Sequence, residues 1–144
     1  MIVLDANILL YAYDTGARLH RPAREFLEQA LSSPAPVGLP LQSILAFLRL
    51  TTKTGVLTAP YSIEEASEFV EQWLLQPQVR LLTPGEQHWR LLKQILLQGG
   101  ARGPLVTDAE IAAITIEFGG ELQTNDRDFA RFPGLRWRNP LEKK

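Results

Sequence analysis

The chain has 144 residues, a length for one domain on the usual prior of about 150 residues per domain, and its 45% hydrophobic content is enough to bury a core. Fifteen Lys and Arg against 16 Asp and Glu exclude a strong overall field toward nucleic acid or an anionic membrane, so any nucleic-acid contact must be local. The lack of cysteine excludes a disulfide framework and a thiolate zinc site, and no apolar run approaches the ~20 residues that cross a bilayer. The expectation is one domain over residues 1–144, cytoplasmic, with no signal peptide and no membrane partner.

Ile2-Val3-Leu4 is a short apolar run that predicts a strand buried on both faces, stopping at the polar turn Asp5-Ala6-Asn7. From His20 to Leu31, apolar residues recur at helical spacing at Ala23, Phe26, Leu27, Ala30 and Leu31. Pro36 to Leu39 reads as a second strand, and Leu41 to Thr52, apolar nearly all round, as a buried or interface helix. Ser62 with Glu65 forms a capping box opening a helix toward Leu75. Val79 to Leu82 is a third strand candidate, and Thr83-Pro84 with Glu86 predicts a helix start that Gly99-Gly100 closes. Thr107-Asp108 leads a helix through Ile111, Ala112, Ala113 and Ile116 that ends at Gly119-Gly120. Glu121 to Thr124 makes a fourth strand and Leu135 to Trp137 a fifth. Short strands alternating with helices predict an α/β fold, a parallel sheet covered on both faces.

In such a sheet, sites form beyond the carboxyl ends of the strands. Asp5 follows the first strand, Asp126 and Asp128 follow the fourth, and Asp108 lies in the first turn of the helix leading into it. Clustered carboxylates repel one another unless protonated or neutralised by a cation. Magnesium or manganese resolves the conflict, because hard ions prefer oxygen ligands and acidify water while offsetting charge on a phosphate. That is nuclease chemistry. With only His20 and His88 available, zinc or a Ser-His triad is less attractive, and His20, just before a helix, reads as a surface or capping residue. Each aspartate also has a bland role: Asp5 can cap a helix starting near Ala6, Asp108 can serve an N-cap, and Asp126 with Asp128 can build an Asx turn.

Three segments in order, Met-Ile-Val-Leu-Asp-Ala-Asn-Ile-Leu-Leu-Tyr at 1–11, Thr-Asp-Ala-Glu-Ile-Ala-Ala at 107–113 and Leu-Gln-Thr-Asn-Asp-Arg-Asp-Phe at 122–129, resemble the PIN-domain nucleases, specifically VapC-type toxins. The likeness extends through residues 46–52 and the ending 132–141. It implies a three-layer α/β/α sandwich with a central, mainly parallel sheet, and cleavage of RNA that depends on magnesium or manganese. It also implies a homodimer and a small antitoxin partner. Carried over, Asp5, Asp108 and Asp126 look like the metal-binding acids; Asn7 and Thr124 look like supporting residues, with Asp128 beside them. One departure stands out: the family usually carries a further acid on the helix matching Leu41 to Thr52, yet residues 29–63 hold no carboxylate. Ile44 or Phe47 occupies the expected place, with Gln42 and Ser43 the nearby polar residues.

Substrate contact needs basic groups near the acids. Arg127, Arg131, Arg136, Arg138, Lys143 and Lys144 crowd the last twenty residues, and Arg102 precedes the Asp108 helix; a solvated surface is the plainer reading of each. Trp73, Trp89 and Trp137 offer rings for base stacking but more often fill a core. Two rival functions remain at this level: a catalytically silent PIN scaffold that binds an antitoxin or nucleic acid, and a phosphatase using Asp5 as nucleophile, for which no activating lysine is evident.

Overall fold

A computed structural model of the chain describes residues 1–142. The first strand, β1 (Ile2–Leu4), splits its side chains as a buried strand must, with Val3 in one apolar core and Leu4 in the other. The chain turns straight into α1 (Ala6–Tyr13), so the polar turn expected after β1 is the cap of a helix: the Asp5 side chain accepts from the Ala6 N–H at 2.8 Å. Then follow α2 (His20–Ser32), β2 (Val37–Pro40), α3 (Leu41–Thr52), α4 (Ile63–Leu74), β3 (Val79–Leu82), α5 (His88–Gln98), α6 (Leu105–Glu117), β4 (Glu121–Gln123), a 3-10 turn (Arg127–Arg131) and β5 (Trp137–Arg138).

Among the described residues the five strands pair in the order β3-β2-β1-β4-β5, every pair parallel. Helices α1 to α4 pack on one face, around Leu9, Leu27, Phe47 and Trp73. Helices α5 and α6 with the 3-10 turn cover the other, around Ile95, Ile114, Phe129 and Phe132. This is the expected three-layer sandwich. At Gly38 in β2 an added Cβ would stand 2.6 Å from Leu82 Cδ1 and 2.9 Å from the Met1 sulfur, so a larger residue there requires those two side chains to shift.

Helix α3 and strand β3 have the expected bounds, and Ser62 and Glu65 form both bonds of the capping box at 3.0 Å. Three elements depart from expectation by more than one residue. Helix α5 begins at His88 rather than near Thr83, because the Gly85 N–H donates to the Glu117 carboxylate at 2.9 Å and pulls the loop against α6. Helix α6 begins at Leu105, two residues before Thr107, with Asp108 in its first turn as expected and no side chain capping its start. The fifth strand is Trp137–Arg138, held by the bonds Leu122 N–H to Arg136 O and Thr124 N–H to Arg138 O, later than Leu135 to Trp137.

Candidate metal centre

The strand order makes the carboxyl ends of β1 and β4 the place where successive connections diverge to opposite sides, the position at which open α/β sheets form their sites. Asp5 sits at the end of β1 and is 6% exposed. Its Oδ1 takes the α1 N–H, and its Oδ2 accepts the Thr124 hydroxyl at 2.7 Å. Thr124 in turn accepts from Asn7 Nδ2 at 3.3 Å and from the Asp126 N–H at 3.0 Å, which uses both its lone pairs and its proton. Asn7 Oδ1 receives the Asn125 N–H at 3.3 Å. Asn7 and Thr124 thus stitch the two strand ends together and orient Asp5.

Asp126 keeps its bland role as well, accepting the Asp128 N–H at 2.9 Å to cap the 3-10 turn, which leaves its other oxygen outside that turn. Burial pushes the Asp5 carboxyl above its ordinary value, the Thr124 and Ala6 bonds pull it back, and the Asp126 charge raises it again. Asp108 is pushed up to about 6, first by burial and then by the charges of Asp126, Asp5 and Asp128, with Arg131 opposing. Four carboxylates from three distant segments therefore share one field. All the donors are oxygen, the chemistry that suits a hard divalent cation. Among the described residues no group of three or more acidic or histidine side chains is placed closely enough to hold a metal ion.

Helix α3 starts at the same edge but contributes no acid. Ile44 and Phe47 are both buried in the core, and Ser43, fully buried, has an Oγ with no hydrogen-bond partner among the described residues. The basic residues scatter. Arg127 and Arg138 line hollows beside Asn139, Arg131 donates to Gly99 O, and Arg136 donates to Gly119 O at the amino edge, away from the acids. Lys143 and Lys144 lie outside the described residues. Trp73 is core, donating to the Tyr13 hydroxyl at 2.9 Å, and Trp137 packs on the second core, while Trp89 is exposed. His20 holds Tyr11 O at 2.8 Å, a structural role.

Sequence reading missed a second polar cluster. His88 is buried between α5 and α6, with Nδ1 2.8 Å from Glu117 and Nε2 3.0 Å from Glu110. The carboxylates come from another helix, so spacing around His88 carries no trace of them.

With the geometry in view, the chain can be set beside known proteins. The sequence profile of the PIN domain matches residues 2–135. Ribonuclease VapC33 of Mycobacterium tuberculosis is 39% identical over 141 residues, covering 98% of this chain and 99% of that protein. Ribonuclease VapC43 of the same organism is 37% identical over 142 residues, covering 99% and 97%. Among solved structures, M. tuberculosis VapC20, described as a sarcin-ricin loop cleaving toxin, superposes with a TM-score of 0.69 at 17% identity, over 94% of this chain and 99% of that one. VapBC-1 from nontypeable Haemophilus influenzae superposes with a TM-score of 0.68 at 22% identity, over 99% and 100%. Those structures carry the fold, and the profile and relatives carry the kinship: the chain belongs to the PIN-domain family, among the VapC-type ribonucleases.

Proposed function

We propose that this chain is an endoribonuclease that depends on magnesium, with manganese as a substitute, and is the toxin of a toxin-antitoxin pair. The observation that carries the reading is the acidic field at the β1/β4 edge, where Asp5, Asp108 and Asp126 are the ligands we assign to the ion. A bound ion supplies Lewis acidity there, acidifying water and offsetting charge that gathers on the scissile phosphate. Asp5, fixed by Thr124 and the α1 N–H, holds one ligand direction without side-chain freedom to lose. Asp108, pushed up to about 6, is protonated readily in the absence of a cation, and a bound ion would favour its charged form. Asp128, exposed at the rim, backs Asp126.

Relatives named as VapC ribonucleases support an RNA substrate, and neighbours solved as VapBC and toxin-antitoxin complexes support an antitoxin partner; a cytoplasmic location is part of the same proposal. Exposed Leu41 and Leu45 on α3 support self-association into a homodimer. The test is RNA cleavage with magnesium, with EDTA, and for Asp5→Asn: chelation and substitution are each expected to lower the rate by at least ~100-fold. Cleavage that survives both overturns the assignment.

A second reading, a silent scaffold that binds antitoxin or nucleic acid, is favoured by one observation: α3 offers buried Ile44 and Phe47 where a further acid is expected. Calorimetric titration with manganese separates the two, since a silent site gives no heat that depends on Asp108.

A further inference from the structure

Beside the acids lies a second, larger feature that the metal chemistry does not use. A cleft of about 960 Å³ opens between the start of α2 and the segments that follow β4 and β5. Its size is that of a site for a ligand of one or more ring systems, well beyond a single ion. Arg18 and Arg21 stand on one wall and Arg127 on the other. Asn125 and Asn139 join the walls near the acids, the Asn139 amide donating to Asn125 Oδ1 at 2.9 Å. Asn125 precedes Asp126 in the chain, and its backbone N–H donates to Asn7 Oδ1, so one wall residue of the cleft adjoins the Asp5 network, although none of the four aspartates lines the cleft itself.

The charge of this cleft differs from that of the chain. Three guanidinium groups face two carboxylates, Glu25 and Glu142, in a protein whose net charge is −1. Arg21 meets Glu25 at 3.3 Å and Arg127 meets Glu142 at 3.0 Å, both in exposed pairs, while Arg18 has no ion-pair partner among the described residues. Exposed pairs of this kind hold little energy and exchange readily for a phosphate, which a guanidinium grips with two bonds. A nucleic acid reaching the acidic edge is repelled there and needs compensating cations close by. The cleft supplies them along a single direction leading away from the acids.

From the position of Arg18, Arg21 and Arg127 along a cleft that ends at Asn125, we infer that it is the track for single-stranded RNA flanking the scissile bond. The inference rests on the nuclease reading for its direction of approach. The arginines act as positioning residues through the flanking phosphates, and the asparagines line the turn into the site.

The experiment measures binding of a labelled single-stranded RNA of about a dozen nucleotides, with magnesium, in an Asp5→Asn background that holds the strand without cutting it. Adding Arg18→Gln and Arg21→Gln is expected to weaken binding about 10-fold and to make the salt dependence of log K shallower by about 1.4, the share of two phosphate contacts. Glu142→Gln, which releases Arg127, is expected to bind a few-fold tighter, a sign that loss of structure does not produce. Arg90→Gln with Lys93→Gln, exposed on α5 in the opposite layer, serves as the control and is expected to leave binding unchanged. Unchanged affinity and salt slope in the arginine double variant overturn the track. So does a variant that keeps RNA but no longer co-purifies with a small protein partner, which assigns the cleft to that partner. If Asp5→Asn still cleaves while the arginine variant binds weakly, the metal assignment fails and the track stands.

Discussion

Thr124 shows how much of the centre hangs on one hydroxyl. It is the only group that touches Asp5, Asn7 and the Asp126 backbone together among the bonds described, so the two halves of the acid cluster share it. The acids around it are arranged against themselves, and the Asp108 carboxyl is pushed up to about 6 from an ordinary 3.8. An acid whose folded-state value is raised adds no penalty while it stays neutral, below about pH 4. As pH rises through about 6 the folded chain must accept the charge, and stability is lost over that window. Asp108→Asn removes the penalty. A fully buried group so shifted is worth ~3 kcal/mol, and solvent screening at this half-exposed position reduces that to about 1 kcal/mol. Denaturant midpoints of the two proteins are therefore expected to match near pH 4 and to separate above pH 6, the Asn variant being the more stable. On the proposed metal assignment, added manganese is expected to narrow the gap by binding the wild type and not the variant. A wild type as stable as the variant at about pH 7.5 without metal contradicts the repulsion.

At the scale of elements, the pairing of α5 with α6 is a polar clasp set in an apolar layer. His88 reaches Glu110 and Glu117, Glu117 also takes the Gly85 N–H, and burial raises the Glu110 carboxyl while His88 lowers it. Removing the ring strands two carboxylates facing each other at a largely buried joint. His88→Ala is expected to cost about 2–4 kcal/mol in chemical denaturation, and His88→Gln, which still donates to Glu117, about half of that. A loss under ~0.5 kcal/mol for the alanine variant shows that the joint is apolar in effect. The same clasp explains what sequence could and could not reveal. Helix α3, strand β3 and the α4 cap were legible because their signals are local: a nearly all-apolar helical segment, a short apolar stretch, and Ser62 with Glu65. The start of α5 was not, since Thr83-Pro84 imitates a helix start and only a carboxylate 32 residues away from Gly85 cancels it. Asp5, Asp108 and Asp126 were legible as acids placed at element ends, where chemistry gathers. Arg18 and Arg21 were not, because an arginine on a cleft wall and one on a solvated helix share the same local pattern.

For the molecule as a whole, the sheet order puts the first strand in the middle, and β1 meets β4 only after most of the chain has been made. The C-terminal segment then closes what β4 begins. β5 covers the β4 edge, Asn139 holds Asn125, and Leu141, 7% exposed, crosses to pack with the α1 to α4 core rather than with the layer that β5 adjoins. This last stretch thus ties both cores and the site to one another, although it forms only two residues of strand. Leu141→Ala is expected to cost about 2–3 kcal/mol with the sheet intact, the range for emptying a buried leucine position. Ending the chain after Gly134 removes the leucine, the β4 partner and the Asn125 tether together, and exposes an unpaired edge beside Leu122. Unfolding by denaturant is expected to show a loss well beyond that of Leu141→Ala, accompanied by loss of RNA cleavage. A truncated chain with the midpoint of the full one would mean that the closing segment is an ornament, and that the four remaining strands hold the acids in place by themselves.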